Sequence, residues 1–243
     1  MTSNPLLEVS GLTKKFGNLL AVNNVSFAIQ NGEILGLIGP NGAGKTTLFN
    51  TITGLYRPEG GSVRFRGVQI AGLEPHRICK LGMSRTFQVL QTFPSMSVEE
   101  AVRVGAYNRH DGKEALAKVD EILAQFELQR LRSTRCEELG LAFLKRVEIA
   151  RAAATEPALL LLDEAGAGLN ATELAELMRM LKALREEKHV TLCIVEHVMK
   201  MVMGLCERII VLDYGELIAQ GNPEEIRRNP KVIEAYLGRR AGR

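Results

Sequence analysis

The sequence predicts an α/β protein in which a buried parallel sheet is joined to an antiparallel N-terminal part and an inserted helical region. Segments 159–163 and 191–195 are apolar almost throughout and do not alternate with polar residues. Parallel strands that are covered on both faces have this composition. A third apolar run, 33–39, leads into a glycine-rich turn and then into residues 45–55, which have helical spacing. This order of strand, loop and helix is typical of an α/β core.

The N-terminal part contains segments that favour strands exposed on one face. Residues 6–9 and 19–29 are rich in Leu, Val and Ile. Residues 60–70 alternate with a period of two, so that Val63 and Phe65 face one side and Arg64 and Arg66 face the other. We therefore expect an antiparallel sheet in this part.

The helical region begins after the first third of the chain. From about 97 to 136, apolar residues recur at helical spacing between Glu and Lys residues. The α/β pattern resumes with strands at 157–164 and 190–197, a helix near 171–187 and two strands at 207–221. We predict a single domain, 1–243, in which 1–87 and 155–243 form the core and 88–154 form a mainly helical subdomain.

Composition excludes several classes of protein. The net charge is +3, from 31 basic and 28 acidic residues that are interspersed, so the sequence shows no basic stripe for a nucleic acid. The four cysteines and four histidines are scattered, without the spacing of a zinc site. No secretion signal is visible and no apolar run reaches about 18 residues. We expect a soluble chain whose membrane role, if it has one, comes through a partner.

Residues 39–46, GPNGAGKT, match the phosphate-binding pattern GxxxxGK[ST] between a predicted strand and a predicted helix. The glycines allow backbone N–H groups to point at phosphate oxygens, and the start of the helix adds a positive dipole. Lys45 is placed to reach the outer phosphates, and the Thr46 hydroxyl is placed to bind Mg²⁺. An incidental glycine turn is the alternative. The predicted nucleotide contacts are Gly39, Pro40, Asn41, Gly42, Ala43, Gly44, Lys45, Thr46 and Thr47.

An acidic pair ends the predicted strand at 157–164. Asp163 closes a buried strand, where an ionised carboxylate is costly unless it holds a cation, so we assign it to Mg²⁺ directly or through water. Glu164 lies one residue further and is placed to polarise the water that attacks the γ-phosphate. By itself the pair could equally cap the next helix. The upstream phosphate loop favours the catalytic interpretation.

With these motifs and no NKxD guanine motif, the chain resembles the ATP-binding cassette family over nearly its whole length. The resemblance implies an ATPase with ATP and Mg²⁺ as cofactors. It also implies that Phe16 stacks on adenine, that Gln88 contacts Mg²⁺ and the attacking water, and that His197 contacts the γ-phosphate. Alone, these residues would be a core phenylalanine, a surface glutamine and a structural histidine. Residues 167–170, AGLN, resemble the loop that crosses to a second cassette.

RTFQ at 85–88, VEIAR, VLDYGELIAQG and VIEAYLG resemble one ATPase subunit of branched-chain amino acid importers. This resemblance implies a peripheral protein at the cytoplasmic face of the cell membrane. Its partners would be a second ATPase subunit, two integral membrane permease subunits and, indirectly, a solute-binding protein, with no nucleic acid. The alternatives are a soluble, non-transport ATPase of the same family and a regulatory subunit with low turnover.

The family signature, LSxGQ followed by a helix with RVxIAR, is altered here. RVEIAR at 146–151 fixes the register, so Leu139 matches, while Gly140 replaces serine, Ala142 replaces glycine and Phe143 replaces glutamine. The predicted contacts to the ATP of the partner are Leu139, Gly140, Leu141 and Ala142. Without the serine hydroxyl, that contact loses a charge-assisted hydrogen bond of roughly 1.5–3 kcal/mol. We therefore expect an asymmetric pair of different ATPases, although a signature that tolerates these changes is the alternative.

Overall fold

A computed structural model describes residues 4–87 and 93–237. Within them the chain forms two sheets, one of four strands and one of six, with helices packed around the larger. The two sheets share a core, in which one hydrophobic cluster joins residues of the N-terminal strands to the central strands. This matches the predicted class, an α/β core with an antiparallel N-terminal sheet and a helical region.

The N-terminal sheet is antiparallel and has the order β2-β1-β4-β5. Its strands are β1 (Leu7–Phe16), β2 (Leu19–Ile29), β4 (Gly60–Phe65) and β5 (Val68–Gln69). Val63 and Phe65 are buried while Arg64 between them is exposed, as the alternation predicts. Strand β1 is longer than the predicted 6–9, and it ends at Phe16, which therefore lies beside the turn to β2.

The central sheet has the order β10-β9-β3-β8-β7-β6. Strands β9, β3, β8, β7 and β6 run parallel, and β10 pairs antiparallel with β9. The strands are β3 (Ile34–Ile38), β6 (Met83–Arg85), β7 (Leu159–Asp163), β8 (Thr191–Val195), β9 (Arg208–Asp213) and β10 (Glu216–Gly221). Every residue of β3, β7 and β8 is buried, which explains their continuous apolar sequences.

Helices connect and cover these strands. They are α1 (Lys45–Ile52), α2 (Pro75–Leu81), α3 (Val98–Ala106), α4 (Gly112–Gln125), α5 (Leu141–Ala153), α6 (Ala171–Lys188), α7 (Met199–Leu205), α8 (Pro223–Arg228) and α9 (Pro230–Leu237). Three of them begin with a capping box, in which a side chain and a glutamate satisfy the first free N–H groups.

Helices α3, α4 and α5 pack together in the predicted helical region. Gly105 of α3 lies so close to α5 that an added Cβ would meet the backbone oxygen of Arg151 at 2.0 Å. Phe126, just after α4, is fully buried in the same cluster. Residues 88–154 remain our proposed bounds for a helical subdomain.

Helices α2 and α7 and strand β6 were missed by the sequence analysis. Helix α2 begins with Pro75 at its first turn and ends at Gly82 in the left-handed conformation, and both are ordinary boundary signals. Strand β6 has only three residues, too few for a periodic pattern. The helix predicted over 45–55 ends at Ile52, because Gly54 takes a φ of 80°.

Candidate active site

The predicted site residues follow the carboxyl ends of three neighbouring strands. Leu37 of β3 pairs with Val195 of β8, and Val195 pairs in turn with Asp163 of β7. Parallel strands place their carboxyl ends at one edge of the sheet, where ligands of open α/β folds bind. The phosphate loop, the acidic pair and His197 therefore lie side by side, although they are far apart in sequence.

The phosphate loop takes a conformation that requires glycine at two positions. At Gly39, with a φ of 154°, an added Cβ would meet the backbone oxygen of Leu212 at 2.1 Å. At Gly44, with a φ of 97°, it would meet the backbone oxygen of Ala21 at 2.3 Å. Gly44 is also the N-cap of α1, so the loop ends at a helix N-terminus. This geometry suits an anion.

Lys45 is held inside the loop. Its Nζ donates to the carbonyl oxygens of Gly39 at 2.7 Å and Pro40 at 2.9 Å. Burial lowers the pKa of Lys45, and the nearby carboxylates of Glu164 and Asp163 oppose this shift. The ammonium group thus lies within reach of a phosphate bound by the loop.

A cavity of about 630 Å³ opens beside the loop, within the range of small-molecule sites. It brings together predicted contacts from both halves of the sequence. Its lining includes Phe16, Asn41, Gly42, Ala43, Gly44, Lys45, Thr46, Thr47 and Glu164. The predicted contacts Gly39 and Pro40 instead line the inner side of the loop, as the acceptors of Lys45. Tyr214, which the sequence analysis did not select, also borders this cavity.

Phe16 forms an aromatic wall of the cavity. It is 43% exposed, which excludes the core position that an isolated phenylalanine would suggest. Its ring meets Tyr56 edge to face, with centroids 5.2 Å apart. Nζ of Lys14 also lies over the ring, 5.2 Å from its centre, so the part of Phe16 that borders the cavity is the part that a flat base could contact.

Asp163 is almost fully buried, and its Oδ1 has no hydrogen-bond partner among the residues described. Burial raises the pKa of Asp163 to about 6, the nearby guanidinium of Arg85 opposes this shift, and Glu164 adds to it. The Nη2 of Arg85 lies 3.4 Å from Oδ2. An orphaned, buried carboxylate oxygen is the donor that a hard cation would satisfy.

The oxygen ligands near Asp163 fit Mg²⁺ better than a metal whose ligands all come from the protein. In the part of the chain that the structure describes, no group of three or more His, Cys, Asp or Glu could hold a metal ion. Mg²⁺ usually takes one or two protein ligands together with phosphates and water. Asp163 would hold it, with the hydroxyl of Thr46 at the exposed start of α1.

Glu164 and His197 face each other across the site. Oε1 of Glu164 lies 3.8 Å from Nδ1 of His197, too far for a direct hydrogen bond. Glu164 takes a φ of 53°, a conformation that is uncommon outside glycine. Functional residues often take such strained conformations. Gln88, predicted to contact Mg²⁺ and the attacking water, lies outside the described residues.

The residues predicted to form the altered signature lie at the start of α5. Gly140 is the N-cap of this helix, and no side chain caps it. Leu141 is 44% exposed and Phe143 is 38% exposed, with the guanidinium of Arg146 5.2 Å from the ring centre of Phe143. The predicted signature contacts thus expose apolar side chains and a bare helix N-terminus.

Three charged residues at the site were missed. Arg85 contacts Asp163, Glu196 hydrogen-bonds to the backbone around Glu164 and His197, and Lys145 donates to the carbonyl of Glu164. Glu196 precedes His197 directly, so its position was a usable signal. Lys145 lies within a helix far from the acidic pair in sequence, and only the packing of α5 brings it there.

A family model described as ABC transporter matches residues 22–167. The chain belongs to the ABC transporter family. A second model, branched-chain amino acid ATP-binding cassette transporter, matches residues 216–242. The chain is thus a cassette of this family, and it is an ATP-hydrolysing subunit.

The cassette is 40% identical to the high-affinity branched-chain amino acid transport ATP-binding protein BraF of Pseudomonas aeruginosa, over 97% of this chain and 99% of that protein. Its structure is similar to that of MJ1267, an ATP-binding cassette of an ABC transporter, with a TM-score of 0.90 and 30% identity over 97% of this chain and 100% of the other. It is also similar to a dimeric structure of MJ0796, a bacterial ABC transporter cassette, with a TM-score of 0.81 and 28% identity over 89% and 98%.

None of the helices in the described ranges, 4–87 and 93–237, is long and apolar enough to cross a membrane.

Proposed function

We propose that this cassette binds Mg²⁺-ATP through Phe16, the phosphate loop, Thr46 and Asp163, and that Glu164 and His197 carry the hydrolytic step. The observation that carries the proposal is the meeting of Lys45, Asp163, Glu164 and His197 at one edge of the central sheet. We further propose that hydrolysis energises import of a branched-chain amino acid or a related small solute. This second proposal is supported by the 40% identity to BraF and by the C-terminal match to the family model of branched-chain amino acid ATP-binding cassette transporters.

We propose a step for each group. When a γ-phosphate enters the cavity, its oxygens replace the loop carbonyls as the hydrogen-bond acceptors of Lys45. Mg²⁺, when bound, neutralises charge on the phosphates. The carboxylate of Glu164 orients and polarises the attacking water, and His197, whose Nδ1 lies 3.8 Å from Oε1 of Glu164, contacts the γ-phosphate beside it. We assign Gln88 to the same metal and water.

The signature favours an asymmetric dimer. Each signature in a cassette dimer faces the ATP of the other chain, and here Gly140 offers the helix N-terminus without a hydroxyl. We propose that a second, different ATPase supplies an intact signature to this chain's ATP. The signature of this chain would then form a weaker site with the ATP of its partner.

The proposed membrane partners are two integral permease subunits, and a helix from a membrane loop would dock in a groove of about 360 Å³ between the core and the helical region. It is bordered by α2, by the end of α5 and by Val104, which is 42% exposed. The apolar residues Phe93, Pro94 and Met96 could either form the floor of this cleft or cover the core of the helical region. Phe93 and Pro94 are exposed and Met96 is half-buried, which supports docking. The cassette would lie at the cytoplasmic face of the cell membrane, with a solute-binding protein acting on the permease.

The catalytic assignment is tested by Glu164→Gln in the assembled transporter. We expect ATP binding to persist while turnover falls by about 10²–10⁴-fold, since one acid–base group is lost. Exposed Glu187→Gln on α6 is the control. Unchanged turnover in the Glu164 variant would remove this residue from the chemistry. Co-purification with two membrane subunits tests the transport assignment, because a soluble, non-transport ATPase would purify without them.

A further inference from the structure

The carboxylate of Glu196 is buried against the two loops that carry the proposed catalytic residues. Glu196 is only 1% exposed. Its Oε1 accepts from the backbone N–H of Gly166, in the loop after Glu164. Its Oε2 accepts from the N–H groups of His197 at 3.2 Å and Val198 at 3.3 Å. One side chain therefore joins the loop of Glu164 to the loop of His197.

The fit around this carboxylate leaves little room. A Cβ added at Gly166 would lie 3.1 Å from Oε1 of Glu196 and 2.9 Å from Sδ of Met201. A glycine at this position lets the loop approach the carboxylate closely enough for the hydrogen bond to form.

The strained backbone of Glu164 has its own support. Its N–H donates to the carbonyl of Val195 at 2.9 Å, and its carbonyl accepts from Ala167 at 3.2 Å. The same carbonyl accepts from Nζ of Lys145 at 2.7 Å. Strained conformations of this kind persist only where the surroundings hold them.

Lys145 is itself buried, at 9% exposure, and belongs to α5. Burial lowers the pKa of Lys145, and the nearby Glu196, Glu148 and Glu164 oppose that shift, with Glu196 the largest of the three. A buried ammonium among carboxylates balances their charge, as buried ions require. Lys145 and Glu196 thus approach the turn of Glu164 from two different elements.

We propose that Glu196 and Lys145 are positioning residues that hold Glu164 and His197 at the positions needed for hydrolysis. Lys145 also links the signature helix α5 to the turn of Glu164 in the same chain. This inference rests on the proposed roles of Glu164 and His197. Since α5 begins at the signature, displacement of its N-terminus by a partner's ATP would move the Lys145 contact to Glu164. One ATP site would then affect the geometry of the other through a single helix.

The test uses the assembled transporter with Glu196→Gln, Lys145→Met and Lys145→Arg, with Lys182→Met on the exposed side of α6 as the control. We expect kcat to fall by about 10–100-fold in Glu196→Gln and Lys145→Met, with the KM for ATP within about two-fold, since misplacement of a catalytic group by about 1 Å costs up to 10²-fold. Lys145→Arg should recover part of the loss because it retains a donor. The double variant should lose less than the product of the two single losses.

A second measurement separates positioning from a folding defect. In the isolated full chain, amide hydrogen exchange at Gly166 and His197 should be at least several-fold faster in Glu196→Ala than in the unaltered protein, while exchange in β3 stays the same. Normal kcat in Glu196→Gln and Lys145→Met, beside an inactive Glu164→Gln, would overturn this inference alone. Normal turnover in Glu164→Gln would instead overturn the proposed function.

Discussion

At the scale of single residues, the buried carboxylate of Asp163 is the proposed cation ligand, but its ionisation lowers the stability of the folded protein. Its folded pKa, about 6, lies above the ordinary value because of burial, with Arg85, Glu164, Lys45 and Glu196 acting in opposing directions. The folded state therefore binds this proton more tightly than the unfolded chain. The resulting stabilisation is fully present below pH of about 4 and is lost as the pH rises through about 6.

Asp163→Asn should remove the free-energy cost of keeping an ionised carboxylate buried at high pH. We expect the variant to be more stable than the unaltered chain at pH 8, by on the order of 1–3 kcal/mol, and the difference to shrink by pH 4.5. Chemical unfolding of the metal-free and nucleotide-free protein at the two pH values measures it, with the exposed Asp111→Asn as the control. An equal difference at both pH values would contradict the prediction. Activity should be lost in the variant, because the proposed cation ligand is removed.

Gly140 leaves space for the side chain that the signature lacks. An added Cβ at this position meets nothing within 4 Å. Gly140→Ser should therefore fold without strain and raise the free energy of unfolding by only a few tenths of a kcal/mol, as an N-cap. We expect ATP turnover by the isolated chain to rise by about 10-fold or more, since a charge-assisted hydrogen bond contributes roughly 1.5–3 kcal/mol. Gly140→Ala, which adds the carbon without the hydroxyl, should give no increase. An equal effect of Ser and Ala would contradict the role of the hydroxyl.

At the scale of elements, the contact between α3 and α5 depends on Gly105. A methyl group there would overlap the backbone oxygen of Arg151, which cannot move without displacing α5. Gly105→Ala should lower the free energy of unfolding by about 1–3 kcal/mol. Val104→Ala on the exposed face of α3 is the matched control and should change it by less than about 1 kcal/mol. Equal stability of the two variants in urea would show that the helices do not approach this closely.

Elements with a long sequence signal, either a continuous apolar run or a helical period, could be predicted well. Strands β7 and β8 and helix α6 lie within a residue or two of their expected bounds. Strand β6 could not be predicted because three residues hold no period, and tertiary pairing with β7 defines it. For the site, motif positions predicted the phosphate loop and the acidic pair. Lys145 could not be predicted, since its role comes from the packing of α5 against the turn of Glu164.

At the scale of the whole molecule, the proposed catalytic half and the proposed signature half lie on different parts of the chain. The catalytic half occupies the carboxyl edge of the central sheet, where Lys45, Glu164 and His197 lie together. The signature half lies at the start of α5, which presents exposed Leu141 and Phe143. In the dimer that we propose, this chain supplies a complete catalytic half, and the partner supplies the intact signature that closes on it.

Steady-state ATP turnover by the purified chain alone, over a wide range of protein concentration, tests this asymmetry most directly. Glu164→Gln serves as the blank, and nucleotide binding is measured in parallel. We predict normal ATP binding with turnover at the level of the blank, because the catalytic half lacks an intact signature from a different chain. Turnover that rises with the square of the concentration would contradict this, since two altered signatures would then be closing productive sites.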